Sequence, residues 1–189
     1  GGPIRSVANL IDALGNDMEF RVVTSDRDLG EDQPYDKIVR GSWQSVGKAK
    51  VLYLSRAGMR LANWYYLLNS DSYDLLYLNS FFCQLTVKTL LLRVLGLVPS
   101  RPIIVAPRGE FSRDAFSMGK LKKIKKQLYM YAVGASGVYR QVTWQASSEH
   151  EANDINRIFP DSKGLIHVAP DLTPILKENQ LKQTERKIN

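Results

Sequence analysis

The segment Ala106-Pro107-Arg108-Gly109-Glu110-Phe111-Ser112 follows the apolar run Ile103-Ile104-Val105. A buried strand there would run straight into a fixed cation at Arg108, a permissive backbone at Gly109 and a carboxylate at Glu110. Ligands of open α/β sheets bind beyond the carboxyl ends of the strands, so position favours a role in binding. The bland alternative is a surface ion pair between Arg108 and Glu110, worth about 1 kcal/mol or less. A second junction, Asn79-Ser80-Phe81-Phe82, follows Leu75 to Leu78. Its amide, hydroxyl and paired rings can bond and stack a sugar-like acceptor; equally, Ser80 can cap a helix with both phenylalanines in the core. At Ala146-Ser147-Ser148-Glu149 the hydroxyls and a helix N-terminus offer donors, although capping alone explains Ser148 and the helix dipole explains Glu149. Gly1-Gly2-Pro3 can bring bare backbone N–H groups close to a phosphate, but it lacks the spacing G-x-G-x-x-G and taken alone reads better as a simple turn.

Lys120, Lys122, Lys123, Lys125 and Lys126 fall within seven residues. Leu121, Ile124, Leu128 and Tyr131 recur at helical spacing through the same stretch, which predicts an amphipathic helix anchored by that stripe with the lysines on its other faces. A solvated face is one reading. Attraction to an anionic surface is the other, since each lysine near an anionic membrane contributes about 1 kcal/mol. His150 and His167 have no partners at ligand spacing, and Cys83 beside Phe82 reads as a small packing residue, so no metal site is expected. The sequence contains no phosphate-binding Walker loop, no H-E-x-x-H and no G-x-S-x-G.

The elements that must position these groups alternate in type. Helices are expected from about Ser6 to Leu14, Arg60 to Leu68, Leu85 to Leu95, Lys120 to Ala132 and Ser148 to Ile158. Strands are expected at Phe20 to Thr24, Val51 to Leu54, Leu75 to Leu78, Ile103 to Ala106, Val142 to Ala146 and Leu165 to Val168, with Ser25 to Pro34 as a loop. Near-continuous apolar strands between amphipathic helices predict an α/β fold, doubly wound and Rossmann-like, with a mainly parallel sheet and helices on both faces. Residues 1–174 are expected to form one such domain and 175–189 a polar tail or linker toward a further domain. In such folds a central strand leads into the first helix, and none precedes Gly1 here, so either the sequence begins after that strand or the sheet manages without it; a sheet lacking it has two unpaired edges, which predicts poor solubility, a rearranged sheet or strand exchange between copies.

With 44% hydrophobic and 24% charged residues over 189, the chain can bury one sizeable core. The most apolar stretch, Leu85 to Val98, carries Lys88 and Arg93 and breaks at Gly96 and Pro99, so no membrane span is expected. Nothing marks a signal peptide, and one cysteine fits a reducing compartment. The 26 Lys and Arg against 19 acids give a net charge of +7, which suits phosphate, anionic lipid or nucleic acid alike.

Taken in order, Gly1 to Leu14, Val22-Val23-Thr24-Ser25-Asp26-Arg27-Asp28-Leu29-Gly30, Tyr77 to Phe82, Ala106 to Ser112 and Ala146 to Glu151 resemble the N-terminal domain of family 4 glycosyltransferases of the GT-B fold. The resemblance covers Gly1 to about Leu172 and rests above all on Pro107-Arg108-Gly109-Glu110. It implies the acceptor-side half of an enzyme that moves a sugar from a nucleotide-sugar co-substrate to a glycan or lipid-linked acceptor, without metal or other cofactor. Gly1 and Gly2 would then lie near the donor phosphates, and Asn79, Ser80, Arg108, Gly109, Glu110, Ser148 and Glu149 would line the acceptor cleft. The partner would be the protein's own C-terminal domain, the location the cytoplasmic face of a membrane, and the fragment alone inactive. Many relatives have a histidine where this chain has Arg108, and no catalytic residue is carried over. The alternative is a non-catalytic basic α/β module docking on an anionic membrane or on nucleic acid, of which nucleic acid ranks last.

Overall fold

The computed structural model describes residues 2–112 and 120–174, apart from the side chains of residues 2, 3, 120–123, 125, 126, 140 and 163. Gly1, the segment 113–119 and the expected tail at 175–189 lie outside the described residues. The fold is α/β and Rossmann-like, and its strands fall into two sheets within two compact units.

The first unit comprises residues 2–55 with 171–174 among those described. Helix α1 (Gly2–Leu14) starts earlier than its apolar spacing indicates and precedes β1 (Phe20–Ser25), β2 (Trp43–Val46) and β3 (Ala49–Leu54). β1 runs parallel to β3, pairing Val22 with Val51, and β2 is antiparallel to β3, pairing Val46 with Ala49. That pairing leaves Gly47-Lys48 as a two-residue hairpin loop, with Gly47 at φ 57 as a II′ turn requires of its first residue. Ile11, Ala49 and Val51 form the small core, joined by Val7, Phe20, Val22 and Tyr53. Gly15 ends α1 against the hairpin: a Cβ there would lie 2.5 Å from the Ile11 carbonyl oxygen and 2.7 Å from Lys48 Cβ, so only glycine fits. Ser6 Oγ donates to Asp171 Oδ2 at 2.7 Å and Asn9 Nδ2 to the Leu172 carbonyl at 2.6 Å, which ties the returning chain to α1.

Beyond β1, Asp26 is wholly buried and its carboxylate accepts from Arg27 Nε at 2.8 Å and Nη2 at 3.2 Å, with Arg40 at 3.9 Å. The Arg27 hydrogen bond, followed by the charges of Arg27 and Arg40, holds the Asp26 carboxyl below its usual range against the opposing effect of burial. Nearby, the Asp28 carboxylate accepts from the Tyr35 hydroxyl at 2.7 Å and pushes that phenol up to about 12. A depressed carboxyl stabilises the fold above its unfolded value of about 3.9, and this contribution is lost as pH falls through the folded value below that. The urea midpoint of the native chain should therefore exceed that of Asp26→Asn at pH 6, and the gap should close as pH is lowered from about 4 toward 2.5. A gap independent of pH would contradict this.

The second unit, residues 56–170, holds a four-stranded parallel sheet in the order β4 (Leu76–Asn79), β5 (Ile103–Ala106), β6 (Thr143–Ala146) and β7 (Ile166–Val168). Its helices are α2 (Leu61–Ser70), α3 (Gln84–Val94), α4 (Lys120–Ser136) and α5 (Glu149–Ile158), with 3-10 turns at Val138–Gln141 and Pro160–Leu165. In β5, Ile103, Val105 and the oppositely directed Ala106 are all buried, as expected of a strand covered on both faces. The core gathers Leu78, Leu90, Val105, Val133, Trp144 and Ile155 around a ring cluster of Phe81, Phe111 and Phe159. Trp64 Nε1 donates to Thr89 Oγ1 at 2.9 Å and clasps α2 to α3. Among the described residues β1 pairs in its sheet only with β3 and β4 only with β5, so each is a parallel edge strand. No helix among the described residues is long and apolar enough to cross a membrane.

The expected orientation of α4 is overturned. Ile124, Leu128 and Tyr131 are 60%, 68% and 76% exposed, whereas Tyr129, Met130 and Val133 pack against the core. This helix has two apolar stripes at helical spacing, and the one containing Val133 is the one the core takes.

Candidate polar site at the carboxyl ends of β4 and β5

Two residues other than glycine hold left-handed backbone where these strands end: Ser80 at φ 82, after β4, and Arg108 at φ 58, after β5. Each such residue costs about 1–2 kcal/mol and persists only where its surroundings over-determine it. For Ser80 the surroundings are visible. Its N–H donates to the Ala106 carbonyl at 2.8 Å, its carbonyl accepts from Thr86 Oγ1 at 2.8 Å, and its hydroxyl donates to Glu110 Oε1 at 2.7 Å.

Arg108 and Gly109, at φ 58 and 75, are the central pair of a tight turn that the Glu110 N–H closes on the Pro107 carbonyl at 3.3 Å. Both centres at positive φ make this a I′-type turn, a geometry that favours Asn and Gly and is costly for arginine. The Arg108 guanidinium donates through Nε to Asn79 Oδ1 and through Nη2 to the Tyr77 hydroxyl, each at 2.7 Å. Tyr77 in turn donates to Gln145 Oε1, and Gln145 Nε2 donates to the Ala169 carbonyl at 2.9 Å. A polar chain thus runs from β4 to β6 and on to the segment after β7, with the cation at one end.

Both glutamates of the cluster are engaged in holding backbone. Glu110 accepts from Ser80 Oγ and from the N–H groups of Phe81 at 2.6 Å and Phe82 at 3.2 Å, instead of pairing with Arg108. Glu151, buried in α5, accepts from the Gly109 N–H at 2.6 Å, the Ser147 N–H at 2.8 Å and Ser147 Oγ at 2.6 Å. These carboxylates position the loops that carry Arg108; acid–base chemistry would require them to leave several donors unpaired.

Of the residues singled out from sequence, the structure bonds Arg108 to Asn79 and Ser80 to Glu110, while Gly109 enters the cluster by donating its N–H to Glu151. Ser148 caps α5 by accepting from the Glu151 N–H at 3.3 Å and enters the cluster only through Glu151. Glu149 is exposed in the first turn of α5. Gly2 is the first residue of α1 in the other unit, and Gly1 lies outside the described residues. Lys120, Lys122, Lys123, Lys125 and Lys126 belong to α4 by their backbone, while their side chains lie outside the described residues. Phe81 is fully buried and so cannot stack on an acceptor, and the helix after it is capped at Cys83 rather than at Ser80.

Tyr77, Gln145 and Glu151 are the partners that the sequence reading misses. Period two puts Tyr77 on the same side of β4 as Asn79, and Ser148-x-x-Glu151 has the spacing of a capping box. Among the described residues no cluster of His, Cys, Asp and Glu could hold a metal ion. Comparison of the chain with family models, with curated proteins and with solved structures finds no match.

Proposed function

We propose that this chain is the acceptor-side part of a glycosyltransferase, one that moves a sugar from a nucleotide sugar to a glycan or lipid-linked acceptor at the cytoplasmic face of a membrane. The observation that carries the reading is the Arg108 guanidinium, fixed by Asn79 and Tyr77 on left-handed backbone at the carboxyl ends of β4 and β5. A planar, permanently charged fork at that edge suits hydroxyl-rich or phosphate-bearing ligands. Strain retained there, where glycine or asparagine would fit more cheaply, is the pattern of a residue kept for binding. Glu110 and Glu151 are committed to the loops, so this part binds and orients, and the departing diphosphate is stabilised by groups on a further domain.

Backbone amide shifts during titration with short glycans, sugar phosphates and nucleotide sugars test the proposal. Asn79, Ser80 and Gly109 should respond to a glycan or sugar phosphate. Arg108→Gly should weaken that binding by about tenfold or more, equivalent to about 1.4 kcal/mol. The same variant should stay within about 1 kcal/mol of native stability in urea, because relief of the left-handed strain offsets the lost side-chain bonds. Turnover of a nucleotide sugar by this chain alone would overturn the division of labour, and shifts that avoid this rim would overturn the site.

A further inference from the structure

The outward stripe of α4 lies on a helix of unusual charge. Lys120–Ser136 contains five lysines in its first seven residues and neither Asp nor Glu anywhere along it. Ile124, Leu128 and Tyr131 stand at i, i+4 and i+7, the spacing of one helix face, and all three are well over half exposed. Water alone gives no reason to expose two aliphatic side chains and a tyrosine in a row when Tyr129, Met130 and Val133 already anchor the helix to the core.

From this juxtaposition we infer that α4 is a membrane-surface helix, lying along an anionic bilayer with Ile124, Leu128 and Tyr131 entering the headgroup and acyl boundary. Lysine charge matches the anionic headgroups, and the aliphatic stripe supplies the apolar burial that makes such a helix lie in the interface plane. Tyr131 suits the boundary, where an apolar ring and a polar hydroxyl are satisfied together. Nucleic acid would match the charge equally well, but an Ile–Leu stripe gives it nothing to bind on a phosphate backbone. The inference is independent of the chemistry proposed for Arg108 and survives or fails separately from it.

The test is co-sedimentation of the chain with vesicles of neutral phosphatidylcholine, alone or with about a third of the lipid replaced by phosphatidylserine. Binding should be at least tenfold tighter to the anionic vesicles. The exposed double variant Ile124→Ser/Leu128→Ser should keep the native circular dichroism and lose about tenfold or more of that binding. Lys122→Glu/Lys126→Glu should abolish the preference for anionic lipid. No binding to the anionic vesicles, with or without binding to single-stranded RNA, or vesicle binding untouched by the serine variant, would each overturn the inference. Retention of glycan-induced shifts at Asn79 and Gly109 in both double variants would show that the two surfaces act apart.

Discussion

Glu151→Ala is expected to lower the stability of the second unit by about 3 kcal/mol, measured as a fall in the urea midpoint with little change in slope. The carboxylate is only 5% exposed and accepts from the Gly109 N–H, the Ser147 N–H and Ser147 Oγ. Hydrogen bonds to a charged acceptor contribute about 1.5–3 kcal/mol each, and stranding a buried donor costs about 1–3 kcal/mol. Recovered solvation of the removed charge offsets part of the sum, which is why the expectation is below a simple total. Against a total stability of about 5–15 kcal/mol this is a large share. Glu151→Gln separates charge from shape. One amide oxygen can still serve one side of the site, while the NH2 group then faces a donor on the other, so the loss should fall between native and alanine. The amide of Gly109 should show faster hydrogen exchange in both variants. A change below about 1 kcal/mol for alanine would mean that Glu151 does not hold the Arg108 turn.

Phe81→Ala should cost more, about 3–5 kcal/mol, as large-to-small changes at well-packed aromatic positions do. The ring is fully buried and lies 5.0 Å from Phe111, 5.3 Å from Tyr129 and 5.8 Å from both Trp144 and Phe159, centroid to centroid. Its loss would leave a cavity in the middle of that cluster, which neighbouring rings cannot fill without leaving their own contacts. Phe81→Leu retains much of the volume and should lose roughly half as much. The backbone of Phe81 also donates to Glu110, so the same residue links the core to the rim. That link gives a discriminating measurement. If alanine destabilises the fold yet the surviving folded fraction still binds glycan like the native chain, the ring acts through packing alone. Weaker binding per folded molecule would mean that the core also sets the posture of Ser80 and Glu110.

The legible part of the fold was the part written in apolar runs. Ile103-Ile104-Val105-Ala106 lies in a strand covered on both faces, so it is apolar without interruption and reads plainly. Trp43-Gln44-Ser45-Val46 carries too little pattern to mark a strand, being short and half polar, and its local signal is the Gly47-Lys48 turn. The outward face of α4 is illegible for a different reason: period alone identifies an apolar stripe without saying whether protein covers it. At the site, Arg108 and Asn79 were legible because the ends of parallel strands are where ligands gather. Their direct bond, and the second one that Arg108 makes to Tyr77, depend on the pairing of β4 with β5, which side-chain types in sequence do not reveal. Glu110 was legible as a charge but not as a clamp, since its donors come from the junction after β4, about thirty residues earlier.

The edge strands β1 and β4 bear on how the chain behaves in company. β4 consists of Leu76, Tyr77, Leu78 and Asn79 with no charge or proline, and β1 carries a single arginine among Phe20, Val22, Val23 and Thr24. Such edges lack the usual deterrents to accepting another backbone. Among the described residues each therefore presents a row of backbone donors and acceptors that a further strand would complete.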